Sequence, residues 1–543
     1  MFATRLTVTR KLFSVFIFSS AFSESVETRV NDGLIVGNRD YYQGKSGDEY
    51  LGIPFAQPPV ENLRFKSPQK PDPWTVLETQ KKKPLCAQPD VNISCWGLPQ
   101  SEDCLYVDVY TASENYETDA KPVLVWIHGG SFTGDWHPDW YTGKYLCPTA
   151  DVVLVVVNYR LGALGFLSLQ DNVIAGNMGV RDQNMALEWV HDNIGNFGGD
   201  PDNVTIFGQS AGAISVKFQA NSPMSGTREN PLFKRVGVVS GQMMTWNPEP
   251  LEVAQSFAQH TRCLTDFNIS SRRFLDCLKT KTTEELVAAS DRENTAKFLW
   301  TPVIDGEFLL DPPTKENMGK PGRLDRFDHF QTCTTGEIAM GAASIRTRES
   351  FERLLKPIFS VTIQVDVENP EFWRELEETY LENGDPESAT TDMWRSAYIL
   401  VGMDTAYVRY IVEYGWALEQ TSTPFHMENF RFNPSENMQE PVRVPGEWNE
   451  PWHGDDLMFY FGWPIQSGNG TESDIEMSHQ MMGVLGSFAR GEPAVPTGVV
   501  WPETQPGMNA MIIDGPNDYT LDPDFRRRQM LLWEDLLYKY PSN

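Results

Sequence analysis

Residues 208–212 read Gly-Gln-Ser-Ala-Gly, a serine held between two glycines. A serine hydroxyl attacks a carbonyl only when a base takes its proton. The neighbouring sequence prepares that chemistry. The short apolar run Val204 to Phe207 leads into the motif, and small, helix-compatible residues follow it. A strand that turns sharply into a helix throws its turn residue outward. Ser210 then stands above a sheet and at a helix N-terminus, where unpaired N–H groups favour negative charge. A Cβ at Gly208 or Gly212 would collide with the crowded backbone of such a turn. The five residues alone are a weak signal; the strand before and the helix after make them a nucleophile elbow.

A reactive serine needs a histidine, and the histidine needs an orienting carboxylate. In hydrolases of this kind the chain order is serine, acid, histidine. The histidines downstream are His260, His329, His426, His453 and His479. His453 lies in PWHGDDLMFYFG, a turn-like opening before an aromatic run, and suits a loop above a sheet. His479 lies in EMSHQMMGVLGSF, a helical pattern that reads as packing or surface. Dozens of acids separate Ser210 from His453. Glu337, just after the strand-like HFQTCT, is one of several candidates among them. The negative oxygen of a tetrahedral intermediate requires donors. WIHGGSF offers the backbone N–H groups of Gly130 and Ser131, and Ala211 supplies a third. Losing one such donor typically lowers the rate roughly 100- to 1,000-fold. His128 in the same stretch reads as serving the turn.

These residues need a rigid frame. PVLVWIHGG (122–130), DVVLVVVNYR (151–160), NVTIFG (203–208) and RVGVVSG (235–241) are near-continuous apolar runs. Runs of this kind suit strands buried on both faces, as in a parallel sheet. Between two of them, Met185, Leu187, Trp189, Val190 and Ile194 recur at helical spacing, and Gly198-Gly199 ends the pattern. Alternating strands and helices specify an α/β fold. Further helices are expected at 349–358, 370–382, 392–419 and 524–537. No linker, repeat or charge block divides the chain, so residues 24–543 read as one domain.

The 543 residues carry a net charge of −29 with scattered positive groups. That opposes binding to nucleic acid or to anionic lipid. At the N-terminus, Arg5, Arg10 and Lys11 precede the apolar stretch Leu12 to Phe22, with small residues following. Residues 1–23 therefore read as a signal peptide, the rival being a signal anchor. The C-terminal LLWEDLLYKYPSN has no hydrophobic tail, so no second anchor is expected and the product reads as secreted. Seven cysteines leave at least one unpaired within the chain. No CxxC or HExxH pattern suggests a metal. Sequons occur at Asn92, Asn203, Asn268 and Asn469, and Asn203, leading into an apolar run, is expected to be poorly accessible.

Several stretches together resemble the type-B carboxylesterase and cholinesterase family of α/β hydrolases. They are YLGIPFAQPPVENLRF (50–65), SEDCLYVDVY (101–110), WIHGGSF, NYRLGALGFLS, the long run GNMGVRDQ through GQSAGAISV, PVIDGEFL (302–309) and HGDDLMFYFG. The likeness runs from about residue 27 to the C-terminus. It implies an α/β-hydrolase fold, a central mostly parallel sheet flanked by helices, with helical insertions. It implies Ser210 as nucleophile, His453 as general base and Glu337 as its orienting acid. It also implies disulfides Cys86–Cys104 and Cys263–Cys277, leaving Cys95, Cys147 and Cys333 without an expected partner. Four features depart from the family pattern. Glu337 lacks the usual neighbouring acid and glycine. Gln209 replaces the common glutamate before the serine, Ser131 replaces a third glycine, and Trp96 does not match the choline-stacking tryptophan. The resulting expectation is a secreted serine carboxylesterase for small-molecule esters, working through an acyl-enzyme and needing no cofactor. Rival readings are an inactive cholinesterase-like adhesion protein, a choline-ester esterase, a lipase, and a hormone- or pheromone-processing esterase. The oligomeric state is not legible.

Overall fold

The computed structural model describes residues 24–542, apart from 43–44, 90–98, 136, 242–245, 264–269, 295–299, 364, 382–384, 419–422, 436–437, 439–449 and 493–508. The expected leader, residues 1–23, lies outside the described residues, as do Asn92, Cys95, Trp96 and Asn268.

Among the described residues, a 13-stranded sheet organises the chain. Its strands are β1 (Glu24–Val30), β2 (Gly33–Tyr42), β3 (Lys45–Pro54), β4 (Val76–Glu78), β5 (Tyr106–Thr111), β6 (Lys121–Ile127) and β7 (Val153–Val157), then β8 (Gly199–Gln209), β9 (Arg235–Val239), β10 (Asp328–Thr334), β11 (Phe425–Phe430), β12 (Ala510–Gly515) and β13 (Asp518–Asp522). Spatially they run β1-β2-β3-β5-β7-β6-β8-β9-β10-β11-β12-β13, with β4 beside β2. From β7 through β12 neighbouring strands are parallel. Toward its two ends the sheet pairs antiparallel, except that β4 runs parallel to β2. The result is a large mixed sheet flanked by helices, the α/β architecture expected.

Strand order explains where chemistry can occur. The chain leaves β6 toward β7 on one side and leaves β8 toward β9 on the other. Loops diverging from the carboxyl ends of adjacent parallel strands open a crevice. The Gly129–Ser131 loop follows β6, and Ser210 follows β8, so both face that crevice.

The apolar runs feed two separate cores because side chains alternate across a strand. Val123, Val125 and Ile127 join one core with Val153, Val155 and Val157. Leu124 and Trp126 join the other with Leu154 and Val156. The first core takes Val180, Leu187 and Val190 from the helix Met178–Asn193. The second takes Met477, Met481 and Leu485 from the helix Glu472–Arg490. Each strand is thus fixed from above and below, and its carboxyl end is a stable platform.

The observed strand ends are tighter than the apolar runs. The run 151–160 yields only Val153–Val157, since Asn158 to Arg160 already leave the sheet. Helices form at Arg348–Thr362, Pro370–Tyr380 and Arg527–Lys539, near their expected places. The expected helix 392–419 is three pieces: Thr391–Met403, a π-helical turn at Asp404–Val408, and a helix at Arg409–Leu418. A π turn inserts one residue into the helical ladder. Here it carries the buried Asp404, which accepts from Tyr380 Oη at 2.6 Å and from Arg526 Nε at 2.8 Å. Arg526 caps the C-terminal helix, so that buried charge ties the helical insertion to the end of the chain.

Candidate active site

The turn at Ser210 is as cramped as its glycines require. Ser210 has φ 55° and ψ −122°, and the helix Ala211–Asn221 starts at the next residue. A non-glycine residue in this region is strained and persists only where its surroundings hold it. Ser210 N donates to Val239 O at 3.0 Å, which ties the turn to β9. An added Cβ on Gly208 would lie 2.6 Å from Gly212 C and O and from Ile127 O. One on Gly212 would lie 2.0 Å from Ile127 O. The elbow therefore packs directly on the end of β6, and only glycine fits on either side.

The loop after β6 is bent in a similar way. Gly130, Ser131 and Phe132 have φ of 105°, 57° and 60°. Thr133 N and Gly134 N both bind Gly130 O, closing the loop on itself. Among the described residues, the N–H groups of Gly130, Ser131 and Ala211 meet no acceptor. Gly129 is packed so closely that a Cβ there would lie 3.0 Å from Ser210 Cβ. Three unpaired N–H donors thus belong to residues within or next to this contact. His128 is buried, stacked on Tyr159 at 4.5 Å, with its Nδ1 2.8 Å from Gly129 O in the turn.

Glu337 and His453 meet above the sheet. Thr334 ends β10, and its N–H donates to Glu337 Oε1 at 2.8 Å. The other oxygen, Oε2, is hydrogen-bonded to His453 Nδ1. The Glu337 side chain is fully buried. Two contacts align the loops that carry the pair. Gly336 forms an isolated parallel bridge with Trp452, and Gly336 N donates to Pro451 O at 2.9 Å. Trp452 N in turn donates to Asp455 Oδ2 at 2.6 Å, which closes the turn holding His453. A carboxylate on Nδ1 places the ring proton there and leaves the Nε2 lone pair facing outward.

That lone pair does not meet Ser210. His453 Nε2 lies 3.1 Å from the side-chain Nε2 of Gln209, and among the described residues Ser210 Oγ makes no hydrogen bond. Tyr407, from the π-helical turn, approaches the other edge, with its hydroxyl 3.4 Å from His453 Nδ1. Sequence reasoning noted Gln209 only as a departure and did not find Tyr407. An aromatic residue in a long helix carries no signal that a π turn will aim it at a loop 46 residues away.

The remaining candidates fall elsewhere. His479 is exposed on the helix Glu472–Arg490. His329 is buried in β10, where its ring binds Leu324 O and Tyr414 Oη, and burial pushes its titration down to about 4. Beneath the Glu337 loop, Asp456 is fully buried, and burial raises it well above the ordinary carboxyl range. Disulfides join Cys86 to Cys104 and Cys263 to Cys277, the expected pairs, while Cys147 and Cys333 are free and buried. Asn203 is partly buried in β8, with its side-chain oxygen accepting from Arg235, whereas Asn469 is exposed. Among the described residues, no His, Cys, Asp and Glu side chains group to hold a metal ion, and no helix is long and apolar enough to cross a membrane.

This geometry offers a hydroxyl on a strained turn, unpaired N–H donors beside it, and an imidazole backed by a carboxylate. Such parts suit acyl transfer. The carboxylesterase family model matches residues 23–523. Carboxylesterase 1C of Rattus norvegicus is 30% identical, with 91% of this chain and 89% of the relative covered. The fatty acyl-CoA hydrolase precursor, medium chain, of Anas platyrhynchos is also 30% identical, over 89% of this chain and 87% of its own. Acylcarnitine hydrolase of Mus musculus is 30% identical, over 83% and 81%.

Proposed function

The chain belongs to the carboxylesterase family and is a carboxylic ester hydrolase; from that premise we propose that it works through an acyl-enzyme on Ser210. The observation that carries this reading is the joining of Glu337 to His453 Nδ1 beside the strained serine turn. Ser210 Oγ attacks the ester carbonyl while His453 Nε2 takes its proton. The C=O π pair moves onto the carbonyl oxygen, and the N–H groups of Gly130, Ser131 and Ala211 hold that oxyanion. As the carbonyl re-forms, the bond to the alcohol oxygen breaks and the imidazolium returns the proton to the leaving alcohol. Water then repeats the sequence on the acyl-serine, freeing the acid and restoring Ser210.

The substrate class is a small-molecule carboxylic ester. The relatives' names extend to fatty acyl-CoA and acylcarnitine, so acyl thioesters and acyl esters of polar alcohols belong in the first substrate panel. Residues 1–23 act as a cleaved leader, residues 24–543 form one domain, and the product is secreted. The basic and apolar pattern of Arg5 to Phe22 and the two disulfides support that route.

The test combines labelling with turnover. A fluorophosphonate probe should modify Ser210 in the wild type, located by peptide mass spectrometry. Ser210→Ala should remain folded, lose the label and lose hydrolysis of a chromogenic short-chain ester. Labelling at another residue, or full turnover by folded Ser210→Ala, would refute the acyl-enzyme on Ser210.

A further inference from the structure

We propose that Gln209 is a positioning residue that holds the His453 imidazole in its neutral form and surrenders Nε2 to Ser210 when the reaction begins. The proposal rests on the Ser210–His453–Glu337 reading above and adds a fourth member to it.

The Gln209 side chain is buried in a slot between the two loops that flank the serine. Its Oε1 lies against Gly129, where an added Cβ would come within 2.8 Å of it. Its Nε2 lies against Gly454, where an added Cβ would sit 3.3 Å away. The same Nε2 is 3.1 Å from His453 Nε2. The carboxamide therefore spans from the loop after β6 to the histidine loop, and both glycines leave room for it.

The chemistry of the contact is directional. With Glu337 on Nδ1, the outward Nε2 of a neutral ring is an acceptor. The amide N–H donates to it. An amide N–H has nothing to donate to once Nε2 carries a proton, so this bond favours the neutral ring, the form that can accept the Ser210 proton. Gln209 and the Ser210 hydroxyl compete for one lone pair, and Gln209 holds it in this structure. Proton transfer then proceeds by exchange of partners: the amide bond opens, Ser210 Oγ–H takes its place, and the proton passes to Nε2. A glutamate at 209 would do the reverse. It accepts only, and its charge favours the imidazolium.

Among the described residues, the other titratable groups facing the ring are Glu337 and Tyr407, with Asp455 and Asp456 following on its own loop. None of these changes in the test, which compares the pH profile of kcat/KM for wild type, Gln209→Met and Gln209→Glu on a short-chain ester. Methionine keeps the length and removes the donor. Glutamate removes the donor and adds a charge. The acid limb should move to higher pH in the order wild type, Gln209→Met, Gln209→Glu, with the last displaced by about one unit or more. Circular dichroism and fluorophosphonate labelling establish that each variant is folded with a reactive serine. Superimposed acid limbs in labelled, folded variants, with only kcat or KM lowered, would overturn the proposal and leave Ser210 chemistry intact. Failure of the wild type to label at Ser210 would instead remove the reading on which it rests. Should Gln209→Glu not fold, Gln209→Met decides alone: an unmoved limb refutes the proposal.

Discussion

The Glu337 carboxylate grips His453 Nδ1 across a separation of 116 residues, held in line by the bridge between Gly336 and Trp452. An amide in place of that carboxylate could present N–H to Nδ1 and favour the wrong ring tautomer. Glu337→Gln is therefore expected to lower kcat by roughly 10³- to 10⁴-fold with little change in fold. Steady-state kinetics with thermal unfolding as a control checks this. A variant within tenfold of wild type would show that Glu337 does not orient the base.

The elbow glycines make a steric prediction. Gly212→Ala places a methyl 2.0 Å from Ile127 O, against backbone that has no rotamer to retreat into. Overpacking of this kind destabilises by about 1–3 kcal/mol and shifts the backbone it meets. A lowered melting temperature with lost ester turnover is expected. Gly195→Ala is the matched control, since nothing lies within 4 Å of its added Cβ.

Glu428 supplies a pH dependence of stability. It is fully buried in β11 beside Tyr460, and burial pushes its titration up to about 8. Between the ordinary glutamate range and about pH 8, the folded chain keeps a proton that the unfolded chain has lost. Its contribution to stability therefore falls as pH rises through that window, by at most about 1.4 kcal/mol per unit. Glu428→Gln removes this slope. Measured by denaturant unfolding, the variant should gain stability relative to wild type between pH 5 and pH 8. Parallel curves for the two proteins would show that Glu428 is ionised at neutral pH.

Accessibility separates the two described sequons. Asn469 is exposed beside the helix that Thr471 caps, while Asn203 lies in β8 with its side-chain oxygen held by Arg235. Expression through a eukaryotic secretory pathway should glycosylate Asn469 and leave Asn203 bare. Deglycosylation in heavy-oxygen water with peptide mapping reads both sites at once. A glycan on Asn203 would mean that β8 is exposed to the transferase before the sheet closes.

What could be read in advance follows from the range of the forces involved. The buried strands were legible because Val153 to Val157 are apolar on both faces, and a parallel sheet needs that. Ser210 was legible because its strand, turn and helix are contiguous in the chain, although the backbone that demands its glycines includes Ile127 of the distant β6. Glu337 could not be singled out from the residues alone. Its pairing with His453 depends on a strand end and a loop more than a hundred residues apart, joined by backbone pairing that leaves no mark on side-chain types. The π turn at Asp404–Val408 was invisible for a similar reason. Its buried charge is balanced by Arg526, far along the chain, and local helical spacing ran smoothly through it.

The 244 residues that separate Gln209 from His453 have a consequence for the birth of the enzyme. In a nascent polypeptide the segments proposed as nucleophile turn and oxyanion loop are synthesised well before His453, the proposed base. Nearly half of translation passes between the addition of Ser210 and the addition of the histidine proposed to deprotonate it. On the proposed mechanism, esterase activity switches on only after the His453 segment has emerged and docked, so the compartment that makes the protein is not exposed to a half-built hydrolase.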